Sequence, residues 1–304
     1  MEKHTMLSEE LNAKVKMIES DLRARGSVLV ALSGGVDSSV VAALAKRALG
    51  NKVVAVTANF ASLPLRELRD AKRLAGELGI KHRVEEVDVL KTPNFTRNPP
   101  DRCYHCKKEI IRMMRRVGEE EGVDAIVDGT NVDDLKNHRP GALALEEGEI
   151  RSPLAEADVT KAETYAIAEM LGLSTTHKPS MSCLSSRFPY GEKITAEGLR
   201  RVAEAEKFLR KLLGVRRLRV RHHGELARIE VGREERRLFF DAKLMNRVVD
   251  KLQTLGFTYV TLDLKGYRSG SMDEVLEKRM MPRKGLAKKG SENNTGPHYH
   301  SQLR

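Results

Sequence analysis

The stretch Val28-Leu29-Val30-Ala31-Leu32-Ser33-Gly34-Gly35-Val36-Asp37-Ser38-Ser39 decides how the rest of this 304-residue chain is read. Its first five residues are an unbroken apolar run, which predicts a short strand buried on both faces of a parallel sheet. Two glycines then allow a tight turn and a close approach of backbone to a ligand. The pattern of Ser38–Leu49 is helical, and the N–H groups that open a helix lack intrahelical acceptors and point at whatever the turn holds. Ser33, Ser38 and Ser39 add hydroxyl donors, so the segment is an anion cradle. It is not a Walker loop, because the Gly-Lys-Ser/Thr ending is absent. Asp37 would repel a bare pyrophosphate, so its carboxylate calls for a Mg²⁺ ion between the two.

Working outward, further strands are predicted at Lys52–Thr57, Lys81–Val87 and Asp124–Asp128, and helices at Leu11–Arg25, Leu65–Leu78, Lys107–Glu121 and Thr160–Leu171. Alternating strands and helices mean an α/β fold, a parallel sheet with crossover connections. Beyond the helical stretch Ala196–Leu213 the texture changes. Leu218–Arg221 and Leu226–Val231 alternate about Gly224 as a hairpin would, and a helix at Lys243–Leu255 and a strand at Thr258–Leu262 complete a small α+β domain. The expected organisation is a nucleotide-binding domain over 1–191, the small domain over 192–277 and a basic tail over 278–304.

Charge contributes less than its size suggests. The formal net charge is +11, and the segment from Lys278 to Arg304 alone holds seven Lys/Arg against one acid, Glu292. A solvated basic terminus and a nucleic-acid contact both fit that tail. The absence of Trp gives stacking readout of bases little support. Apolar runs such as Val40–Ala45 fall far short of the roughly 18 residues of a membrane span. The opening residues carry no apolar signal segment, so a cytoplasmic protein without membrane attachment is expected.

Three cysteines are an odd count, which points to metal or reactive thiols rather than a disulfide framework. Cys103 and Cys106 form a CxxC in Asp101-Arg102-Cys103-Tyr104-His105-Cys106-Lys107-Lys108. The positive end of a helix and three nearby cations are expected to lower their thiol pKa values. Cys183 is the third. CxxC serves zinc, redox pairs and Fe–S clusters alike. A redox pair leaves Cys183 unexplained, and zinc calls for a fourth ligand such as His105, His138 or His177. Three thiolates without a fourth suit a 4Fe–4S cluster with one open iron; zinc and unligated thiols stay open as alternatives.

A further cluster, Asp128-Gly129-Thr130-Asn131-Val132-Asp133-Asp134, follows the fourth strand. Ligands of open α/β sheets gather at such strand ends. Gly129 and Asn131, with Thr57 at the end of the second strand, join the cradle residues Ser33, Gly34, Gly35, Asp37, Ser38 and Ser39 in the expected ATP site. Arg187, Arg219 and Arg221 are candidate ligands for substrate phosphate or carboxylates.

The Ser33–Ser39 segment resembles the ATP-pyrophosphatase (PP-loop) superfamily pattern SGGxDS. That resemblance implies cleavage of ATP between its α and β phosphates, with a substrate activated as an adenylate. Taken with DRCYHCK, DGTNVDD, HRPGALAL, RSPL, KPSMSCLSSRFPYGEKIT, LRVRHHGELARIEV and GYRSGSMDE, the chain from Ser27 to Glu274 is similar to the LarE family of sulfur transferases. The resemblance implies a PP-loop domain followed by a small α+β domain, and a homo-oligomer of hexameric form. The implied substrate is pyridinium-3,5-biscarboxylic acid mononucleotide, a small anionic nucleotide whose carboxylates are adenylylated and converted to thiocarboxylates for the nickel-pincer nucleotide. Some members sacrifice the sulfur of the cysteine matching Cys183. Here Cys103 and Cys106 accompany it, as in the three-cysteine form that carries a 4Fe–4S cluster and draws on a sulfide donor. Thiolation of tRNA is the alternative activity, and a nucleotide-sensing protein on the same scaffold is a third.

Overall fold

A four-stranded, fully parallel sheet in the order β3-β2-β1-β4 carries the first part of the chain, as the computed structural model shows. The structure describes residues 8–136, 140–178, 182–215, 217–268 and 270–274. The elements run α1 (Glu9–Ala24), β1 (Val28–Ala31), α2 (Val36–Leu49), β2 (Val53–Asn59), α3 (Leu65–Glu77), β3 (Lys81–Glu86), α4 (Pro93–Thr96), α5 (Arg102–Glu121) and β4 (Ala125–Val127). There follow α6 (Val132–Lys136), α7 (Pro140–Glu147), α8 (Pro153–Glu156), α9 (Lys161–Met170), α10 (Ala196–Leu213), β5 (Leu218–His223), β6 (Leu226–Val231), α11 (Ala242–Thr254) and β7 (Tyr259–Leu262).

β1 is apolar throughout because it is covered on both faces. Val28 and Val30 belong to a core built with α1, α2, α3 and α9, while Leu29 belongs to another built with α5 and α7. α2 is buried nearly all round, from Val36 through Ala45, because α1 and α9 pack over the side that a surface helix would expose. β1 pairs with β2 on one side and β4 on the other. The chain order reverses between β1 and β4, and the crevice beyond their carboxyl ends is where an open α/β sheet binds ligands.

The second sheet has the order β5-β6-β7, antiparallel between β5 and β6 and parallel between β6 and β7. Its apolar face packs on α10 and α11 through Leu209, Val220, Ile229, Val248 and Leu252. The β5–β6 turn passes through Gly224 at φ +60°, as the hairpin reading expected.

Contacts join Met1–Met272 into one compact unit, and a second begins at Asp273. The boundary expected at 191/192 falls inside the first unit. The tail over 278–304, His138 and the Pro179-Ser180-Met181 part of the cysteine motif lie outside the described residues. Among the described residues, no helix is long and apolar enough to cross a membrane.

Candidate active site

The Ser33–Ser39 segment leaves β1 and enters α2 as the sequence predicts, with Gly34 in the left-handed region at φ +77°. Its hydroxyls serve the loop itself. Ser38 Oγ donates to Gly35 O at 3.1 Å and lies 3.0 Å from Ser33 Oγ, while Ser39 Oγ donates to Gly35 O at 2.7 Å. Ser39 is fully buried, so it braces the turn and does not face a ligand. Ser33, Gly35, Val36 and Asp37 do line a cavity of about 230 Å³, together with Lys161, Lys178 and Cys183.

The cluster after β4 reaches the same place. A Cβ added to Gly129 would meet Ser38 N at 2.5 Å, so only glycine lets this strand end lie against the start of α2. Asn131 Nδ2 donates to Asp37 Oδ1 at 3.1 Å, and the Lys161 ammonium donates to Asp37 Oδ2 at 2.5 Å. Thr57 ends up elsewhere. It is buried, its hydroxyl donates to Leu32 O at 2.6 Å, and it meets His82 Nε2 at 2.8 Å. Its side chain ties β2 to the end of β1 and does not line the cavity.

The cysteines sit differently from the expectation. α5 begins at Arg102, so Cys103 and Cys106 lie in its first turns and not in a loop before it. Burial pushes the Cys106 thiol up to about 12, and the nearby Cys183 and Cys103 add to the rise, overriding the lowering by Lys107. The helix-end argument therefore fails at Cys106, because desolvation outweighs the positive helix end. Cys183 and Cys103 therefore lie near enough to Cys106 to act on it electrostatically. Among the described residues, however, no group of three or more His, Cys, Asp or Glu is close enough to hold a metal ion. His105 faces Asp101 at 3.4 Å.

Two buried arginines hold the cysteine segments in place. Arg102 Nη1 donates to Asn98 Oδ1 at 2.9 Å, and Asn98 Nδ2 donates to Pro189 O at 2.7 Å, which ties the start of α5 to the chain beyond Cys183. Arg187, with 0 % exposure, pairs with Glu206 through Nε at 2.8 Å and Nη2 at 3.0 Å, and its Nη1 donates to Ser182 O and Cys183 O, each at 3.0 Å. Arg187 thus grips the Cys183 backbone and is not exposed for a substrate. Arg221 is likewise engaged, with Glu230 Oε2 at 2.7 Å from Nη2, Ser186 O at 3.0 Å from Nη1 and Ser271 Oγ at 2.9 Å from Nη2. Of the three arginines proposed as substrate ligands, Arg219 lines the larger cavity, of about 1950 Å³. Burial and the charge of Arg187 lower its guanidinium pKa to about 10. The two cavities share Leu63, Pro64 and Lys178.

Glu206 is wholly buried, which alone would raise its pKa, but the charge and hydrogen bonds of Arg187, with Arg210 and Arg219, hold it near 2. Because that value is depressed, its contribution to stability is complete above the ordinary carboxylate pKa and is lost as pH falls toward 2. Glu206→Gln leaves Arg187 buried without its counter-charge. It is expected to cost about 3–5 kcal/mol in urea unfolding at pH 7, with the gap to wild type narrowing as the medium is acidified.

Residues 11–105 match the asparagine synthase family model. The chain is 38% identical over 272 residues to pyridinium-3,5-bisthiocarboxylic acid mononucleotide synthase of Lactiplantibacillus plantarum, covering 89% of this chain and 98% of that one. The chain belongs to the LarE family. An uncharacterized protein of Synechocystis is 43% identical over 268 residues, 88% of this chain and all of its own. A tRNA-specific 2-thiouridylase of Parvibaculum lavamentivorans is 29% identical over 191 residues, which is half of this chain and 47% of that enzyme. The LarE likeness therefore spans both sheets, whereas the tRNA-enzyme likeness is partial. This LarE-family protein is an ATP-using sulfurtransferase on a PP-loop α/β fold.

Lys161 and Lys178 were not among the expected site residues, although Lys178 opens the motif KPSMSCLSSRFPYGEKIT. Lys161 opens α9, capped by Thr160 through a capping box with Glu163, which fixes the helix start beside Asp37. The Thr160-x-x-Glu163 spacing signals a helix start, but nothing in it signals that the helix abuts the ATP loop.

Proposed function

We propose that this protein inserts sulfur into pyridinium-3,5-biscarboxylic acid mononucleotide at the expense of ATP, on the way to the nickel-pincer nucleotide. One observation carries the reading: Cys183 and the Ser33–Asp37 loop line a single small cavity, which supports one chamber for sulfur and the activating nucleotide. The larger cavity, which Arg219 helps to line, supplies room and charge for a doubly carboxylated nucleotide.

In this reading the loop N–H groups cradle the ATP phosphates, and the Asp37 carboxylate, oriented by Asn131, would hold a Mg²⁺ ion, which would offset phosphate charge. A substrate carboxylate oxygen attacks the α-phosphorus, and the bond from that phosphorus to the bridging oxygen breaks as pyrophosphate leaves. Sulfide then attacks the acyl carbon, and AMP departs with the former carboxylate oxygen. Lys161 supplies positive charge where pyrophosphate forms.

Cys103, Cys106 and Cys183 would hold a 4Fe–4S cluster. Three thiols near enough to act on one another electrostatically supply the donor chemistry of such a cluster with one open iron, which supports the assignment. When bound, the cluster supplies a site for exogenous sulfide. We further infer a cytoplasmic homo-oligomer, a hexamer, divided functionally into a PP-loop domain over 1–191 and a small domain over 192–277.

The test offers the purified protein ATP, Mg²⁺ and sulfide with either the pyridinium mononucleotide or unmodified tRNA. Mass spectrometry is expected to find oxygen-for-sulfur exchange in the mononucleotide and none in tRNA. Removing residues from Arg283 onward should leave that turnover unchanged. Thiolation of tRNA alone, lost on truncation, would replace this reading with the tRNA one.

A further inference from the structure

Lys178 stands outside every motif used to read the ATP site, yet its side chain is only 7% exposed and three segments meet on it. Its ammonium donates to Gly34 O at 2.7 Å. It also lies 2.8 Å from Glu67 Oε1 and 2.7 Å from Asp70 Oδ2, contacts that rest on charge more than on hydrogen-bond alignment. Asp70 is shared with Arg73 at 3.2 Å.

Two further observations give this knot a direction. A Cβ on Gly34 would meet Glu67 O at 2.5 Å and Ala71 N at 3.0 Å, so the ATP loop lies directly on the first two turns of α3. On the other side, the residues after Cys183 hang from the connection into α3. Leu184 N donates to Ser62 O at 2.8 Å, and Ser185 Oγ donates to Ser62 Oγ at 2.6 Å. The ATP loop and Cys183 are therefore registered against the same ten residues, Ser62 to Ala71.

The bond to Gly34 O also sets the cradle. In a planar trans peptide the C=O and the next N–H point in opposite directions. A cation fixed on Gly34 O thus directs Gly35 N–H away from Lys178, on the side where Ser33 Oγ accepts it at 3.3 Å. Without that anchor the peptide can turn and present a carbonyl oxygen to an incoming phosphate.

We propose that Lys178 is a positioning residue that locks the Gly34–Gly35 peptide in its anion-binding orientation and keeps the ATP loop in register with Cys183. The proposal rests on reading the small cavity as the shared ATP and sulfur site. Its test needs no sulfur transfer. Binding of an α,β-methylene analogue of ATP is measured by calorimetry, and alkylation of Cys183 is timed by peptide mass spectrometry with and without saturating analogue. In wild type the analogue is expected to slow Cys183 alkylation about threefold or more. Lys178→Met should weaken analogue binding by roughly tenfold and abolish the protection, with Lys178→Arg recovering part of both. The double variant Lys178→Met with Glu67→Gln relieves the uncompensated charge and is measured in case the single one fails to fold. A folded variant lacking Lys178 that binds the analogue and protects Cys183 like wild type overturns the proposal, as does a wild type that binds the analogue without protecting Cys183. Failure of wild type to bind the analogue at all overturns the ATP reading, and the proposal with it.

Discussion

Asp37→Asn is expected to cut substrate-dependent pyrophosphate release by on the order of a hundredfold or more while leaving the fold intact. The Asp37 carboxylate, in the wall of the small cavity, accepts from Asn131 Nδ2 and from the Lys161 ammonium. An amide of the same shape keeps the volume but loses the charge that recruits Mg²⁺, and a neutral carbonyl is a weaker ligand for a hard cation. Stability should change little, because Lys161 is one-third exposed and can rehydrate once its partner is neutral. The measurement is pyrophosphate release at saturating ATP, with circular dichroism as the folding control. An unchanged rate would remove Asp37 from the mechanism.

The second large effect concerns sulfur. If the three cysteines hold a cluster, Cys103→Ala, Cys106→Ala and Cys183→Ala should each lower iron content and multiple-turnover thiolation together, on the order of a hundredfold in rate. Analogue binding should survive Cys103→Ala and Cys106→Ala, since those residues sit on α5 and do not line the small cavity. Wild type supplied with sulfide should turn over repeatedly with Cys183 intact. A sacrificial Cys183 predicts the opposite set: one turnover per chain, loss of the mass of H₂S from the protein, and full activity in the two α5 variants. Intact-protein mass spectrometry after reaction separates the two, and dehydroalanine at 183 would rule out the cluster as donor.

The burial of Cys106 bears on that experiment. A thiol held near 12 stays protonated at neutral pH, so it is a poor nucleophile until a metal displaces its proton. The sequence suggested a readily ionised pair because only the helix start and the flanking Lys107 and Lys108 were visible. The packing of Cys106 against Phe95, Leu184 and their neighbours was not.

Read by itself, the sequence determined the features that depend on near neighbours. An apolar run of five residues marked β1 and one of four marked β2, two glycines marked the turn into α2, and the alternation about Gly224 marked the β5–β6 hairpin. These are legible because strand pairing, turn conformation and helix starts answer to residues a few positions apart. The tertiary structure alone decided which charges serve the site. Lys161 reaches Asp37 across 124 positions and Lys178 reaches Gly34 across 144. Arg187 and Arg221, which looked available for an anionic substrate, are instead enclosed with Glu206 and Glu230. An arginine has the same donors whether it faces water or a buried carboxylate. Only packing of distant elements removes the water, and with it settles whether the charge is kept for a ligand or neutralised within the fold.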